Sequence, residues 1–124
     1  MKAVYITEHG GPEVLTYGDL PDPEIGPNDV KIRVRACALN RLDLYTRAGA
    51  RGTRIRFKGP HVLGGDVAGE VAEIGDLVTR VAVCDRVVVN PRLTCNQCRF
   101  CVAGEEEFCT SAGMLGSSRS GGYA

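Results

Sequence analysis

The sequence predicts a mainly β domain, a partly open barrel or a sandwich with one short helix, followed by an irregular lobe organised by cysteine. Three observations point there. Short apolar runs alternate with a period of two between turns rich in glycine and proline. One segment alone has a helical period, and four cysteines crowd a stretch without apolar periodicity. At 124 residues, 44% hydrophobic and 24% charged, the chain has the size of one modest globular domain, 1–124, with its cysteine lobe at 91–114.

The first run, Met1 to Glu8, ends at the Gly10-Gly11-Pro12 turn, and Pro21-Asp22-Pro23 and Gly26-Pro27-Asn28-Asp29 mark two further turns. The clearest strand spans 30–38. Val30, Ile32, Val34, Ala36 and Ala38 point one way, and Lys31, Arg33, Arg35 and Cys37 the other. On that parity Cys37 faces outward with the charged residues and reads as a small filler. Asn40 to Gly49 then changes period: Asn40 suits an N-cap, Asp43 sits near the positive helix end, and Gly49 suits a C-terminal stop.

Residues 49–60 carry Arg51, Arg54, Arg56 and Lys58 with little apolar content and read as an exposed loop, its charges a solvated face. His61 and His9 read as loop histidines. Gly64, Gly65, Gly69 and Gly75 among Val67, Val71, Ile74 and Val78 suit tightly bent strands. Asp85 to Asn90 is a further β-run, halted by Pro91. Cys84 stands just before it, where a positive φ would cost a non-glycine residue about 1 kcal/mol.

Fifteen basic and fifteen acidic residues cancel, with no long block of one sign, so no nucleic-acid partner is expected. No segment is long and apolar enough for a signal peptide or a membrane span, which sets membrane partners aside and points to a cytoplasmic protein. Its thiols would be reduced there, and clustered cysteines read as metal ligands. The spacing Cys95-x2-Cys98-x2-Cys101-x7-Cys109 offers four soft donors to one small ion, the closed tetrahedral set of a structural zinc site. The bacterial iron–sulfur pattern places its fourth cysteine after three residues and follows it with proline; here seven intervene and Thr110 follows. A redox Cys-x-x-Cys would want a βαβ context, and a nucleic-acid zinc ribbon would want basic surroundings where this lobe has Glu105, Glu106 and Glu107.

Gly10-Gly11-Pro12-Glu13-Val14-Leu15, Ala38-Leu39-Asn40-Arg41-Leu42-Asp43, Gly64-Gly65-Asp66-Val67-Ala68-Gly69-Glu70-Val71 and the four-cysteine lobe together resemble the medium-chain dehydrogenase/reductase superfamily. The likeness is to its zinc-binding alcohol dehydrogenase and quinone oxidoreductase branches. It implies a GroES-like, partly open β-barrel, followed in that family by a Rossmann domain that binds NAD(H) or NADP(H). No strand, Gly-x-Gly-x-x-Gly and helix unit occurs here, so the chain looks like a truncated N-terminal part that is inactive by itself.

The alcohol dehydrogenases hold a catalytic zinc with a cysteine just before the short helix and a histidine in a Gly-His-Glu motif. Those positions are Asn40 and Gly65 in this chain, with Asp66 for the glutamate. The resemblance therefore implies structural zinc only, and reduction of a quinone or enone in place of alcohol chemistry. Asn40, Asp43 and Tyr45 are the implied catalytic residues, although all three also make sense as helix-terminal or packing residues. A small-molecule substrate (quinone, enone, aldehyde or alcohol) and a homo-oligomer at full length are implied as well. Two alternatives stay open, an alcohol dehydrogenase with catalytic zinc and a non-catalytic zinc-stabilised binding module.

Overall fold

A computed structural model describes residues 1–124. Strand β1 (Lys2–Ile6) lies between β2 (Thr16–Asp19) and β4 (His61–Val62), all antiparallel. A second sheet sets β5 (Asp66–Ile74) between β3 (Val30–Ala38) and β6 (Arg86–Val88). Residues 121–123 run alongside both β1 and the 62–64 segment, with Tyr123 accepting from the Val4 amide at 2.7 Å and donating its own to Leu63 at 3.0 Å. The core is thin. Ala3 and Ile6 from β1, Val62 and Leu63, and Val67 and Val71 from β5 supply most of it.

β3 has the predicted bounds, but its parity inverts part-way. Val34 pairs with Gly69 and Ala36 with Ala68, so Arg35 is an extra residue with no partner. Such a bulge reverses which face the following side chains take. Ala36 and Ala38 are exposed and Cys37 is half-buried, the opposite of what strict alternation predicts. Gly69 sits across from the bulge, where a Cβ would lie 2.3 Å from the Arg33 carbonyl, so the two strands can approach only because it has no side chain.

Helix α1 (Arg41–Ala48) is capped as the sequence predicts. Asn40 Oδ1 accepts the Leu42 amide at 3.1 Å, Asp43 Oδ2 accepts the Asn40 amide at 2.8 Å, and Gly49 stops the helix at φ 67°. Residues 51–60 form an irregular loop. The cysteine lobe is clasped at its two ends by a short ladder, β7 (Arg92–Leu93) against β8 (Gly113–Met114), and contains one α-helical turn, α2 (Arg99–Val102), and one 3-10 turn at Glu106–Phe108.

Candidate metal centre and active-site pocket

The four lobe cysteines converge. Their sulfurs all lie within 4.8 Å of one another, with Cys98 to Cys101 at 3.5 Å, Cys95 to Cys109 at 3.6 Å and Cys95 to Cys101 at 3.9 Å. A tetrahedron with zinc–sulfur bonds of about 2.3 Å has edges of about 3.8 Å, which is the observed spacing. A disulfide would need about 2.05 Å, and an iron–sulfur cluster, which spreads four thiolates over two or four irons, would hold sulfurs on different irons farther apart. The geometry thus agrees with the closed four-sulfur set to which the sequence spacing points.

Local backbone prepares these sulfurs for a cation. The Cys98 amide donates to Cys95 Sγ at 3.3 Å and the Cys95 amide to Cys109 Sγ at 3.4 Å. Backbone N–H groups of Cys101 and Thr110 hold the Cys98 thiol down to about 6, while those of Cys95 and Ser111 lower that of Cys109. Desolvation, together with hydrogen bonds in which Cys101 keeps the proton and Cys98 and Cys109 accept it, pushes Cys101 up to about 12. Thiolate charge gathers where N–H dipoles point, and a dication completes the balance. All four donors are filled by protein, so the ion braces the lobe and has no open position for substrate.

The second site is built around Asp43. The residue is 7% exposed, and its carboxylate ties three parts of the chain together. Oδ2 accepts from the Asn40 amide and from the Tyr123 hydroxyl, each at 2.8 Å, and Oδ1 accepts from the Gly64 amide at 3.0 Å. Burial, then the hydrogen bond to Asp43, raises the Tyr123 phenol well above the usual tyrosine range, so it stays protonated. Asn40 completes the group by donating Nδ2–H to Asp66 Oδ2 at 3.0 Å. Beside this polar group opens an apolar pocket of about 430 Å³, lined by Leu15, Leu39, Leu44, Leu63, Asn40 and Tyr123 among others.

Of the residues implied as catalytic, Asn40 and Asp43 come together and Tyr45 does not. Two positions on from Asp43, Tyr45 leaves the helix on another side and lies under the Arg51 guanidinium, 4.9 Å from its ring centre. Tyr123, which the sequence analysis did not single out, stands beside Asp43 instead. Its contact with Asp43 spans 80 residues, and no local pattern signals it. Cys37, turned inward by the bulge, flanks Gly64 and the Tyr123 ring; burial and the charges of Asp43 and Asp66 push its thiol up, away from nucleophile behaviour.

The residues present do not fit a catalytic metal. Both ends of the Asn40 amide are engaged, and Gly65 has no side chain, with a Cβ there meeting the Leu115 carbonyl at 3.0 Å. The four lobe cysteines are the one grouping of three or more histidine, cysteine or acidic side chains whose ligand atoms converge.

Residues 26–124 match the family model of the alcohol dehydrogenase GroES-like domain. The chain belongs to that family. This GroES-like domain is 45% identical to a crystal structure of an NAD-dependent alcohol dehydrogenase, superposing with a TM-score of 0.92 over all of this chain and 36% of the other. A cobalt- and zinc-bound thermostable alcohol dehydrogenase from Pyrobaculum aerophilum is 36% identical, with a TM-score of 0.88 over 99% of this chain and 36% of that one. Among curated proteins, L-threonine 3-dehydrogenase of Rhizobium etli (strain CIAT 652) is 37% identical over 85% of this chain and 30% of its own length. NAD-dependent alcohol dehydrogenase of Sulfolobus acidocaldarius is 32% identical over 99% and 36%. The domain thus spans about a third of the length of these relatives, which are alcohol and threonine dehydrogenases and not quinone oxidoreductases of the kind implied by Asn40 and Gly65 at the metal-ligand positions. No helix is long and apolar enough to cross a membrane.

Proposed function

We propose that this domain is the substrate-side part of a nicotinamide-dependent oxidoreductase that interconverts a small alcohol and its carbonyl. The observation that carries the reading is the apolar pocket whose polar wall is Asn40 and the Asp43–Tyr123 pair. The relatives' names support the substrate class. The buried Leu63 and the exposed Leu15, Leu39 and Leu44 would offer an apolar wall to the substrate's carbon chain. Tyr123, its proton committed to Asp43, presents phenolic lone pairs that can accept from a substrate hydroxyl, and Asp43 keeps that ring in place. NAD(H) or NADP(H), when bound, takes or supplies the hydride, and the hydroxyl proton passes to Tyr123 as that phenol gives its own to the Asp43 carboxylate, the reverse holding for reduction.

A second reading, reduction of a quinone or enone, is favoured by one observation: the engaged Asn40 amide and bare Gly65 leave no donor set for a Lewis-acid metal beside this pocket. Substrate panels separate the two. The full-length protein, assayed by nicotinamide absorbance with short alcohols, threonine, aldehydes, quinones and enones, is expected to turn over alcohols or aldehydes. Activity confined to quinones or enones would replace the first reading with the second, and no activity with any of them would defeat both.

A further inference from the structure

Between Asp43 and Asp66 the chain has no acidic residue, yet it carries Arg47, Arg51, Arg54, Arg56 and Lys58. In a chain whose fifteen basic and fifteen acidic residues cancel overall, this is a concentrated local excess. Arg54, Arg56 and Lys58 reach no carboxylate; the ion pairs use the N-terminus, Lys2, Lys31 and Arg35. Exposure alternates from Thr53 to Lys58, which puts the three cations on one solvent face and turns Ile55 and Phe57 inward.

The loop that presents them is fixed to the fold. The Ile55 amide donates to His9 Nε2 at 3.0 Å, so the ring's proton sits on Nδ1, which donates to the Thr46 carbonyl at 3.0 Å. Phe57 packs edge-on to the same imidazole at 4.9 Å. His9 therefore joins the basic loop to the end of α1, and the cations need little ordering to act together.

They do not simply fan into water. The loop curves around a cavity of about 580 Å³ whose far wall is Ser117 and Ser118, with His61 at one end. His61 Nε2 meets the Gly116 carbonyl at 3.2 Å, Gly116 packs on Gly64, and the Gly64 amide reaches Asp43. A relay of three contacts thus links the rim of the cavity to Asp43.

We propose that this cavity binds the phosphate-bearing end of a small molecule, with Arg54, Arg56 and Lys58 as the recognising groups and the Ser117 hydroxyl as a further donor. Guanidinium forks match phosphate oxygens in pairs, and two of them beside an ammonium on one face suit a dianion better than a single carboxylate. Naming that molecule as the enzyme's substrate rests on the function proposed above; the binding itself does not.

The test titrates the full chain with inorganic pyrophosphate, followed by calorimetry and backbone amide shifts. Saturable binding with shifts confined to residues 52–61 and 117–118 is expected, together with a loss of about tenfold or more in R54Q/R56Q/K58Q. A control lacking three other cations, K2Q/R33Q/R80Q, should bind as the parent does. Shifts spread over every basic surface, an equal loss in the control, or no saturation would overturn the proposal. So would a short DNA duplex that binds the same residues more tightly than pyrophosphate, which would assign the loop to a polyanion. Pyrophosphate binding in a full-length protein without oxidoreductase activity would uphold the anion site and sink only its reading as a substrate subsite.

Discussion

Replacing Asp43 by alanine removes one buried carboxylate and leaves three donors, the amides of Asn40 and Gly64 and the hydroxyl of Tyr123, facing an apolar gap. Hydrogen bonds to a charged group contribute about 1.5–3 kcal/mol each, but the three share one carboxylate whose own desolvation is relieved by the change. A net loss of about 3–5 kcal/mol follows. At this chain length about 1 kcal/mol corresponds to roughly 4 °C, so Asp43→Ala should melt some 12–20 °C lower. Asp43→Asn can keep its oxygen toward Asn40 and Tyr123 but turns an NH₂ on the Gly64 amide, and should cost about 2 kcal/mol. Tyr123→Phe should cost about 1–2 kcal/mol, and the double variant should lose less than the sum because both remove the same bond. Thermal and urea melts followed by circular dichroism measure all four. An Asp43→Ala variant melting within about 2 °C of the parent, or strict additivity of the pair, would refute the node as the tie between α1, Gly64 and the 121–123 segment.

Cys84 has φ 76°, in the left-handed region that glycine adopts without penalty, so Cys84→Gly should raise stability by about 1 kcal/mol, read as an upward shift of the urea midpoint at unchanged slope. Burial lowers the His61 pKa below its ordinary 6.5, so as pH falls the unfolded chain takes up its proton first. Stability should therefore decline as pH drops through about 6.5 and level off below the folded-state value, and His61→Gln should flatten that part of the profile. Chelating the metal, or Cys101→Ser, should speed amide exchange across residues 91–114 while the β3–β5–β6 sheet keeps its protection, because beyond the thiolates the lobe is held by the short β7–β8 ladder, local turn hydrogen bonds, the exposed Arg92 side chain on the Glu107 carbonyl and the Phe100–Phe108 contact at 5.8 Å.

Much of this was legible in the sequence because the signals are local. The caps of α1 are set by Asn40, Asp43 and Gly49 within ten residues, and the bounds of β3 by period-two alternation. The cysteine spacing named the donors, although only the sulfur–sulfur distances distinguish one ion from a cluster or a disulfide. What alternation could not reveal is the bulge at Arg35, since an unpaired residue is a property of two strands, and from there it misplaced Cys37. Tyr123 and His9 were missed for a related reason: their partners lie 80 and 37 residues away. The basic loop was visible as a charge run, but its curvature around a cavity depends on Ser117 and Ser118, which fold back from far along the chain.

Metal content by native mass spectrometry, with elemental analysis of the same sample, tests most directly the claim that the cysteines brace a lobe while the pocket beside Asn40 works without metal. One zinc per chain is predicted, lost in Cys101→Ser and retained in Asn40→Ala. Two zinc ions per chain, or an iron chromophore, would contradict it.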